Sequence, residues 1–295
     1  MSAFQGWPEP RVVVTGLRFP EGPVYLGDGA LVVTEIRGRC VTRVEDGGTK
    51  VLAELGGGPN GATLGADDDL WVANNGGLSL GPGGYWFAEP FVDGTIQRVM
   101  LDGSSTNALD PIPLEGPHRP NDICFGPDGK LYFTDPRNWE DFQNFKVGRV
   151  WRFDPSTGAA DAIADVPHFC NGIAFGADPS KLYVAQSNLM KVLELDWTPD
   201  GAGEPREFAA LPKGFPDGFC LAEDGDLYVC GSMGDVMHVF DRAGVHKQQV
   251  DFPEHSEPTN CCLGDGVLYV TCSGTGELLA FDLGVAGLAL YPFRS

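Results

Sequence analysis

Six segments of the chain begin with a side chain that offers a carboxylate or carboxamide oxygen. Each leading residue is followed by an apolar stretch, a turn rich in Gly and Asp, and a second apolar stretch. The leading residues are Glu21, Asn60, Asn121, Asn171, Asp217 and Asn260. Hard oxygen ligands select Ca²⁺ or a similar cation and discriminate against Zn²⁺. Six such residues converging on one point would form a cation site, whereas any one of them could instead begin a strand by ordinary turn chemistry.

The spacing of these segments indicates the fold that positions them. The leading residues are separated by 39, 61, 50, 46 and 43 residues, and a further alternating stretch often follows, as at 148–154, 190–196, 235–241 and 277–283. Four short strands per unit at this period are typical of propeller blades, whereas a helical solenoid would need an apolar period of 3.6 residues. We predict an all-β, six-bladed propeller with four-stranded antiparallel blades. Because one blade cannot cover its own faces, residues 1–295 are expected to form a single domain.

The ring of blades must also close. An open ring would leave a sheet edge available for aggregation. The apolar segment 11–15 lies upstream of the first repeat. We predict that it supplies the outer strand of the last blade, beside the strands near 277–294.

In a propeller the first strand of each blade lines the central channel, so the six leading residues are expected to form a ring around the axis. This favours a metal site in which only some of the six are direct ligands. The loop between the second and third strands lies at the same end of the channel. Two of these loops are long and aromatic, 75–94 with Tyr85, Trp86, Phe87 and Phe91, and 136–147 with Trp139, Phe142 and Phe145. They could form a substrate wall or lid, or pack on the rim.

A basic residue precedes the third member of the ring, in the sequence from His118 to Asp122. Pro120 restricts the backbone and should hold Arg119 extended toward the channel mouth. There its guanidinium could bind a carboxylate, a phosphate or a developing oxyanion, or form a salt bridge on the rim. His168, three residues before Asn171, remains unassigned.

The composition of the chain limits the kinds of partner that it can bind. The net charge is −21, which disfavours binding to nucleic acid or to anionic membranes. No apolar run reaches the roughly 20 residues needed to span a bilayer, and residues 1–10 lack the features of a secretory signal, so a cytoplasmic location is expected. The eight cysteines show no paired spacing, which favours reduced, buried thiols over disulfides or a zinc site.

Several motifs together resemble the gluconolactonase, regucalcin (senescence marker protein) and luciferin-regenerating family of six-bladed propellers. The matching phrases are Pro20-Glu21-Gly22-Pro23, Arg119-Pro120-Asn121-Asp122 followed by FGPDGKLYFTDP, Asn171-Gly172, and Pro216-Asp217-Gly218. The resemblance covers nearly the whole chain. The order of the four phrases along the chain, rather than any one phrase, is specific for this family.

The resemblance implies one divalent cation, commonly calcium, with Zn²⁺, Mn²⁺ and Mg²⁺ as alternatives. Its ligands would be Glu21, Asn171 and Asp217, with Asn121 as a further ligand or substrate contact. Arg119 and Asn121 match substrate-binding positions of the family, and Asp122 and Asn60 complete the predicted substrate contacts. Related organophosphate-hydrolysing propellers use the same set of one Glu, two Asn and one Asp around calcium.

The leading hypothesis is metal-dependent hydrolysis of a small lactone or related ester. Asp217 would act as the general base or only as a ligand, and Arg119 and Asn121 would stabilise the oxygen on which negative charge develops. One alternative is phosphotriester hydrolysis at the same ion. Another is a non-catalytic binding module with a structural calcium, since propellers serve many functions. Either a monomer or a dimer is compatible with the sequence.

Overall fold

A computed structural model describes residues 3–27, 29–45, 48–81, 83–141, 143–144 and 146–293. Six small antiparallel sheets follow one another along the chain and form a ring. This confirms the predicted all-β, six-bladed propeller. The third strands expected near 148, 190, 235 and 277 are all present.

The first three blades contain the first three of the six repeated segments. Strand β1 (Arg11–Val14) precedes blade 1, which consists of β2 (Pro20–Gly27), β3 (Ala30–Glu35), β4 (Cys40–Glu45) and β5 (Gly48–Glu54). Blade 2 consists of β6 (Pro59–Leu64), β7 (Asp69–Asn74), β10 (Thr95–Met100) and β11 (Ser105–Leu109), with an inserted hairpin of β8 (Leu78–Gly81) and β9 (Gly84–Phe87). Blade 3 consists of β12 (Ile123–Phe125), β13 (Leu131–Asp135), β14 (Gly148–Phe153) and β15 (Ala160–Val166).

The last three blades repeat this order. Blade 4 consists of β16 (Cys170–Phe175), β17 (Lys181–Gln186), a short 3₁₀ helix (Ser187–Leu189), β18 (Lys191–Thr198) and β20 (Arg206–Ala210). The two-residue strand β19 (Gly201–Ala202) pairs antiparallel with the end of β18. Blade 5 consists of β21 (Phe215–Leu221), β22 (Leu227–Ser232), β23 (Val236–Phe240) and β24 (His246–Asp251). Blade 6 consists of β25 (Pro258–Gly264), β26 (Val267–Cys272) and β27 (Glu277–Asp282).

Blade 6 takes its fourth strand from the amino terminus. Strand β1 pairs antiparallel with β27, with Arg11 opposite Ala280 and Val12 opposite Leu279. The predicted closure of the ring is therefore confirmed. Joining the two ends of the repeat removes the open edge that the last blade would otherwise present.

The apolar core lies between the blades. Among the described residues, six clusters of buried apolar side chains each combine two neighbouring blades. In one of them, Trp71 and Ile96 of blade 2 pack with Phe133 and Trp151 of blade 3. Because every blade shares its apolar faces with both neighbours, the ring holds the first strands at fixed positions around the axis.

Hydrogen bonds between blades fix the backbone beside the channel. The Thr134 hydroxyl donates to the Asn171 carbonyl oxygen at 2.6 Å, and the Thr259 hydroxyl donates to the Pro20 carbonyl oxygen at 2.9 Å. The Thr34 hydroxyl likewise donates to the Asn60 carbonyl oxygen. Hydroxyl groups near the channel therefore set the positions of the leading residues, or of their immediate neighbours, in the adjoining blade.

Two further observations concern the state of the cysteines and the lengths of the helices. All eight cysteines are free thiols. No helix of the described residues is long and apolar enough to cross a membrane.

Candidate functional site

A cavity of about 270 Å³ lies at one end of the channel. Five of the six leading residues line it, namely Glu21, Asn60, Asn121, Asn171 and Asp217. We call this space the polar cavity. Its wall also carries hydroxyl groups from Ser79, Ser232 and Ser273. The repeat therefore brings carboxamide and carboxylate groups from five blades to this one cavity.

The sixth leading residue does not line the polar cavity. Asn260 faces a second cavity of about 330 Å³, together with Asp122. The Asn260 amide oxygen accepts the backbone N–H of Cys261 at 2.8 Å, and its amide nitrogen donates to Asp122 at 3.4 Å. Asn260 therefore does not line the polar cavity, but its amide lies beside Glu21 and opposes the rise in the pKa of that carboxylate.

We call the second space the thiol cavity, because four cysteines line it: Cys124, Cys220, Cys261 and Cys262. The Sγ atoms of Cys220 and Cys261 lie 3.4 Å apart. Residues 287–290 and Phe293 of the carboxy-terminal segment also line this cavity. Asp122, a predicted substrate contact, lies here and not in the polar cavity.

Two of the leading residues in the polar cavity carry carboxylates, the buried Glu21 and the half-buried Asp217. Burial, together with the negative charges of Asp217 and Asp122, raises the pKa of Glu21 well above its usual value. Burial also raises the pKa of Asp217 to about 7, against the opposing effect of hydrogen bonds from Ser232 and Asn171. No Lys, Arg or His is among the described residues that line the cavity. The wall therefore holds negative charge that no cationic side chain of the lining compensates.

The donor set of the polar cavity suits a hard cation. The carboxylates of Glu21 and Asp217 and the amide oxygens of Asn121 and Asn171 are ligands that Ca²⁺ prefers. Within the part of the chain that the structure describes, no group of three or more His, Cys, Asp or Glu side chains is placed to hold a metal. A cation here would therefore depend on amide oxygens and water in addition to two carboxylates.

Arg119 lies outside the polar cavity. Its guanidinium donates to Asp93 at 3.1 Å and to Glu140 at 3.2 Å, and it stacks on Phe91 with 4.4 Å between Cζ and the ring centroid. Asp93 lies in the loop 75–94, and Glu140 lies in the loop 136–147. The geometry is that of the rim salt bridge, and the predicted contact between Arg119 and substrate remains a prediction.

The neighbouring His118 is also a buried structural residue. Its Nδ1 lies 2.7 Å from an Asp135 carboxylate oxygen. The other oxygen of Asp135 accepts the backbone N–H of Arg119 at 2.8 Å and that of Arg137 at 3.0 Å. Asp135 thereby holds the approach to Asn121 in place.

The two long loops contribute both to the wall of the cavity and to packing on the rim, the two roles considered from the sequence. Leu78, Ser79 and Leu80 of the first loop and Trp139 of the second line the polar cavity. Other aromatic residues pack on one another: the ring centroids of Phe87 and Phe91 are 5.1 Å apart, and those of Tyr85 and Trp139 are 5.7 Å apart. Phe142 and Phe145 lie outside the described residues.

Sequence reasoning missed Glu257, a third carboxylate on the wall of the polar cavity. It lies three residues before Asn260, the same offset that separates His168 from Asn171. The residues at this offset in the other blades do not line the polar cavity, so the repeat gave no signal for Glu257.

Comparison with known proteins agrees with the motifs and the geometry. A model of the family described as SMP-30/Gluconolactonase/LRE-like region matches residues 19–274. A gluconolactonase from Zymomonas mobilis is 24% identical over 288 residues, covering 86% of this chain and 76% of the relative.

Two solved structures share the fold. A gluconolactonase from Xanthomonas campestris has a TM-score of 0.75 at 24% identity, covering 95% of this chain and 91% of its own. A calcium-binding protein, regucalcin, from Agrobacterium tumefaciens has a TM-score of 0.76 at 16% identity, covering 97% and 98%. With the family match extending over most of the propeller, the chain belongs to the SMP-30/gluconolactonase/LRE-like family.

Proposed function

We propose that this protein is a divalent-metal-dependent lactonase that hydrolyses a small lactone in the polar cavity. The observation that carries the proposal is the convergence of the Glu21 and Asp217 carboxylates and several amide oxygens on one cavity whose described lining has no cationic side chain. Membership of a family with a gluconolactonase relative supports the choice of substrate class.

Glu21, Asn171 and Asp217 would hold the cation, with Asn121 as a further ligand or as a substrate contact. Calcium is the first candidate because all these donors are hard oxygens, and a structural relative is described as calcium-binding. Zn²⁺, Mn²⁺ and Mg²⁺ are the other ions to compare. When bound, such an ion supplies Lewis-acid polarisation of the lactone carbonyl.

Asp217 has two candidate roles in hydrolysis. As a general base it would take a proton from the attacking water, and its raised pKa of about 7 suits that task near neutral pH. As a ligand it would remain ionised, because contact with a dication lowers a carboxylate's pKa. The amide of Asn121 would donate to the oxygen that becomes negative, and Asn60 would contact the remainder of the substrate. Arg119 would act from outside by holding the two loops.

The mixed lining of the cavity favours catalysis over a module that binds a partner on its face. Carboxylates and amides line it, and Leu78, Leu80 and Trp139 form apolar parts of its wall. Small-molecule sites commonly combine such an apolar wall with a few polar groups.

The test is lactone hydrolysis followed by pH-stat on chelated protein, before and after addition of Ca²⁺, Zn²⁺, Mn²⁺ or Mg²⁺. A parallel set of phosphotriesters covers the alternative substrate. We expect lactone hydrolysis that disappears on chelation and returns with one of the ions. Activity indifferent to chelation would contradict metal dependence, and turnover of phosphotriesters alone would replace the lactone assignment.

A further inference from the structure

Glu257 presents an unpartnered carboxylate to the polar cavity. The residue lines the cavity and is only 9% exposed. Its backbone N–H donates to Asp235 at 2.8 Å and its carbonyl oxygen accepts the Ser273 N–H at 2.9 Å. Its side chain, in contrast, accepts no hydrogen bond from the residues that the structure describes. An ionised carboxylate can only accept hydrogen bonds, so this group lacks donors.

The backbone at this position favours glycine. Glu257 has a φ of 49°, in the left-handed region. The residues three positions before the leading residues of blades 2 and 5 are Gly57 and Gly214, with φ of 52° and 73°. Blades 2 and 5 thus use glycine at this position, whereas blades 1, 3 and 4 carry Arg18, His118 and His168. The positive φ of Glu257 has a conformational cost. The side chain is not needed to form this turn.

The charges that face Glu257 come from several elements. Asp235 and Asp217 are negative, whereas Arg37 and, when protonated, His255 are positive. Arg37 forms no ion pair within 4 Å of any described residue; its Nε donates to Ser79 at 2.9 Å and its guanidinium stacks on Phe19. Its charge thus acts on Glu257 from a distance. The Glu257 carboxylate therefore has the positive charge of Arg37 nearby, but it has no hydrogen-bond donor among the described residues.

Glu257 is not grouped with the two carboxylates proposed as cation ligands. Among the described residues no three His, Cys, Asp or Glu side chains are placed to hold a metal, so Glu257 does not form a three-carboxylate site with Glu21 and Asp217. It also stands three residues away from the ring position of its blade, toward the turn that precedes β25.

We propose that Glu257 is a specificity-determining residue that accepts hydrogen bonds from hydroxyl groups of the substrate. This rests on the proposed lactonase function and narrows it, because the cavity would then prefer polyhydroxylated lactones to alkyl lactones of the same ring size. An alkyl lactone would cover the carboxylate without supplying donors, and a buried charged group left unpaired is penalised. The hydroxyl groups of Ser79, Ser232 and Ser273 on the same wall would add further hydrogen bonds.

The test compares D-glucono-1,5-lactone with δ-valerolactone, using the calcium-loaded wild-type protein and the variants Glu257→Gly, Glu257→Gln and Glu254→Gln. Glycine suits the local φ, so Glu257→Gly should fold. We expect it to lower kcat/KM for the hydroxylated lactone about 10- to 100-fold, mainly through KM. The same variant should change the alkyl lactone less than about twofold, since that substrate makes no such hydrogen bond.

The other variants separate charge from hydrogen bonding. Glu257→Gln keeps an acceptor oxygen and should lose less than Glu257→Gly. Glu254 is an exposed neighbour whose side chain is 86% accessible, so Glu254→Gln should match the wild type for both lactones.

Two results would overturn the proposal. Equal losses of kcat for both lactones would make Glu257 a general base, and equal losses accompanied by a lower Tm would make it structural. Calorimetric binding of D-glucitol, a neutral polyol that cannot be hydrolysed, gives a readout independent of catalysis. If the wild type hydrolyses neither lactone, the proposed function fails; weaker D-glucitol binding by Glu257→Gly still supports hydroxyl recognition, and unchanged binding contradicts it.

Discussion

The two ends of the channel differ in chemistry more than in size. The thiol cavity is the larger of the two, at about 330 Å³ against about 270 Å³. Its buried carboxylate, Asp122, accepts hydrogen bonds from the Ile123 N–H at 2.9 Å and from Asn260 at 3.4 Å. The polar cavity instead gathers three carboxylates, Glu21, Asp217 and Glu257, on one wall. This gathering of carboxylates, rather than volume, identifies the candidate site.

The largest expected effect is on lactone hydrolysis, when one carboxylate is neutralised in the polar cavity and, for comparison, one in the thiol cavity. Asp217→Asn should lower kcat/KM for lactone hydrolysis by on the order of 10³-fold or more, because the site loses a proposed ligand or base. Asp122→Asn should cost less than about tenfold, since its side chain lies in the other cavity. Steady-state kinetics of the two purified variants measures both. A similar loss in both would return Asp122 to the substrate contacts predicted from its motif.

The next effect concerns the packing that separates the two cavities. Gly61 follows Asn60, and a Cβ there would lie 2.8 Å from the Asn121 carbonyl oxygen and would overlap Asp122. Gly61→Ala should therefore lower the free energy of unfolding by about 1–3 kcal/mol by forcing blades 2 and 3 apart. Gly83→Ala, with nothing within 4 Å of the added atom, is the matched control and should stay within about 0.5 kcal/mol. Urea unfolding gives both values.

The same unfolding curves test the predicted single domain over residues 1–295. One cooperative transition, shifted as a whole by Gly61→Ala, is expected for a ring whose blades share their cores. Two separate transitions, only one of which shifts, would contradict it.

A smaller effect is the pH dependence of the metal-free protein. Burial raises the pKa of Asp122 and of Asp217 to about 7 each. The folded state then binds protons more tightly than the unfolded state, so stability should fall as pH rises from about 4 to about 7, by up to about 1.4 kcal/mol per pH unit for each group. Urea unfolding of chelated protein between pH 4 and 8 measures the slope.

The variants assign that slope to the two cavities. Asp217→Asn and Asp122→Asn should each flatten it, and calcium should remove the contribution of Asp217 while leaving that of Asp122. An unchanged slope in both variants would show that neither carboxyl has the raised pKa.

The smallest effect is expected at the thiols. Burial raises the pKa of Cys124 and Cys262, which line the thiol cavity. In the folded protein at pH 7.5 both should react with iodoacetamide at least about tenfold more slowly than in urea, because the thiolate is the reactive form. Peptide mass analysis gives the labelling at each site. Rapid labelling in the folded state would show that the carboxy-terminal segment leaves this end open.

The propeller was predictable because its evidence is local and repeated. Each blade displays its strands and turn within a single segment, and closure by residues 11–15 follows from the need to cover an edge. Five leading residues reach the polar cavity for the same reason. Asn260 lines the other cavity, where it hydrogen-bonds Cys261 and Asp122, and such bonds cannot be predicted from a repeat.

Arg119 and Glu257 show a second limit. The partners of Arg119, Asp93 and Glu140, lie 26 and 21 residues away in or beside long loops. No periodicity predicts that they close on one guanidinium. Glu257 stands at a position that the repeat does not fix, since the equivalent residues are Arg18, Gly57, His118, His168 and Gly214.

The most direct test of the central claim is calorimetric titration of Ca²⁺ into chelated wild-type protein, Glu21→Gln, Asp217→Asn and Asp122→Asn. One site is expected in the wild type and in Asp122→Asn, with affinities within about tenfold, and none in the other two variants. Binding that survives Glu21→Gln and Asp217→Asn, or that only Asp122→Asn abolishes, would place the cation outside the polar cavity and contradict the claim.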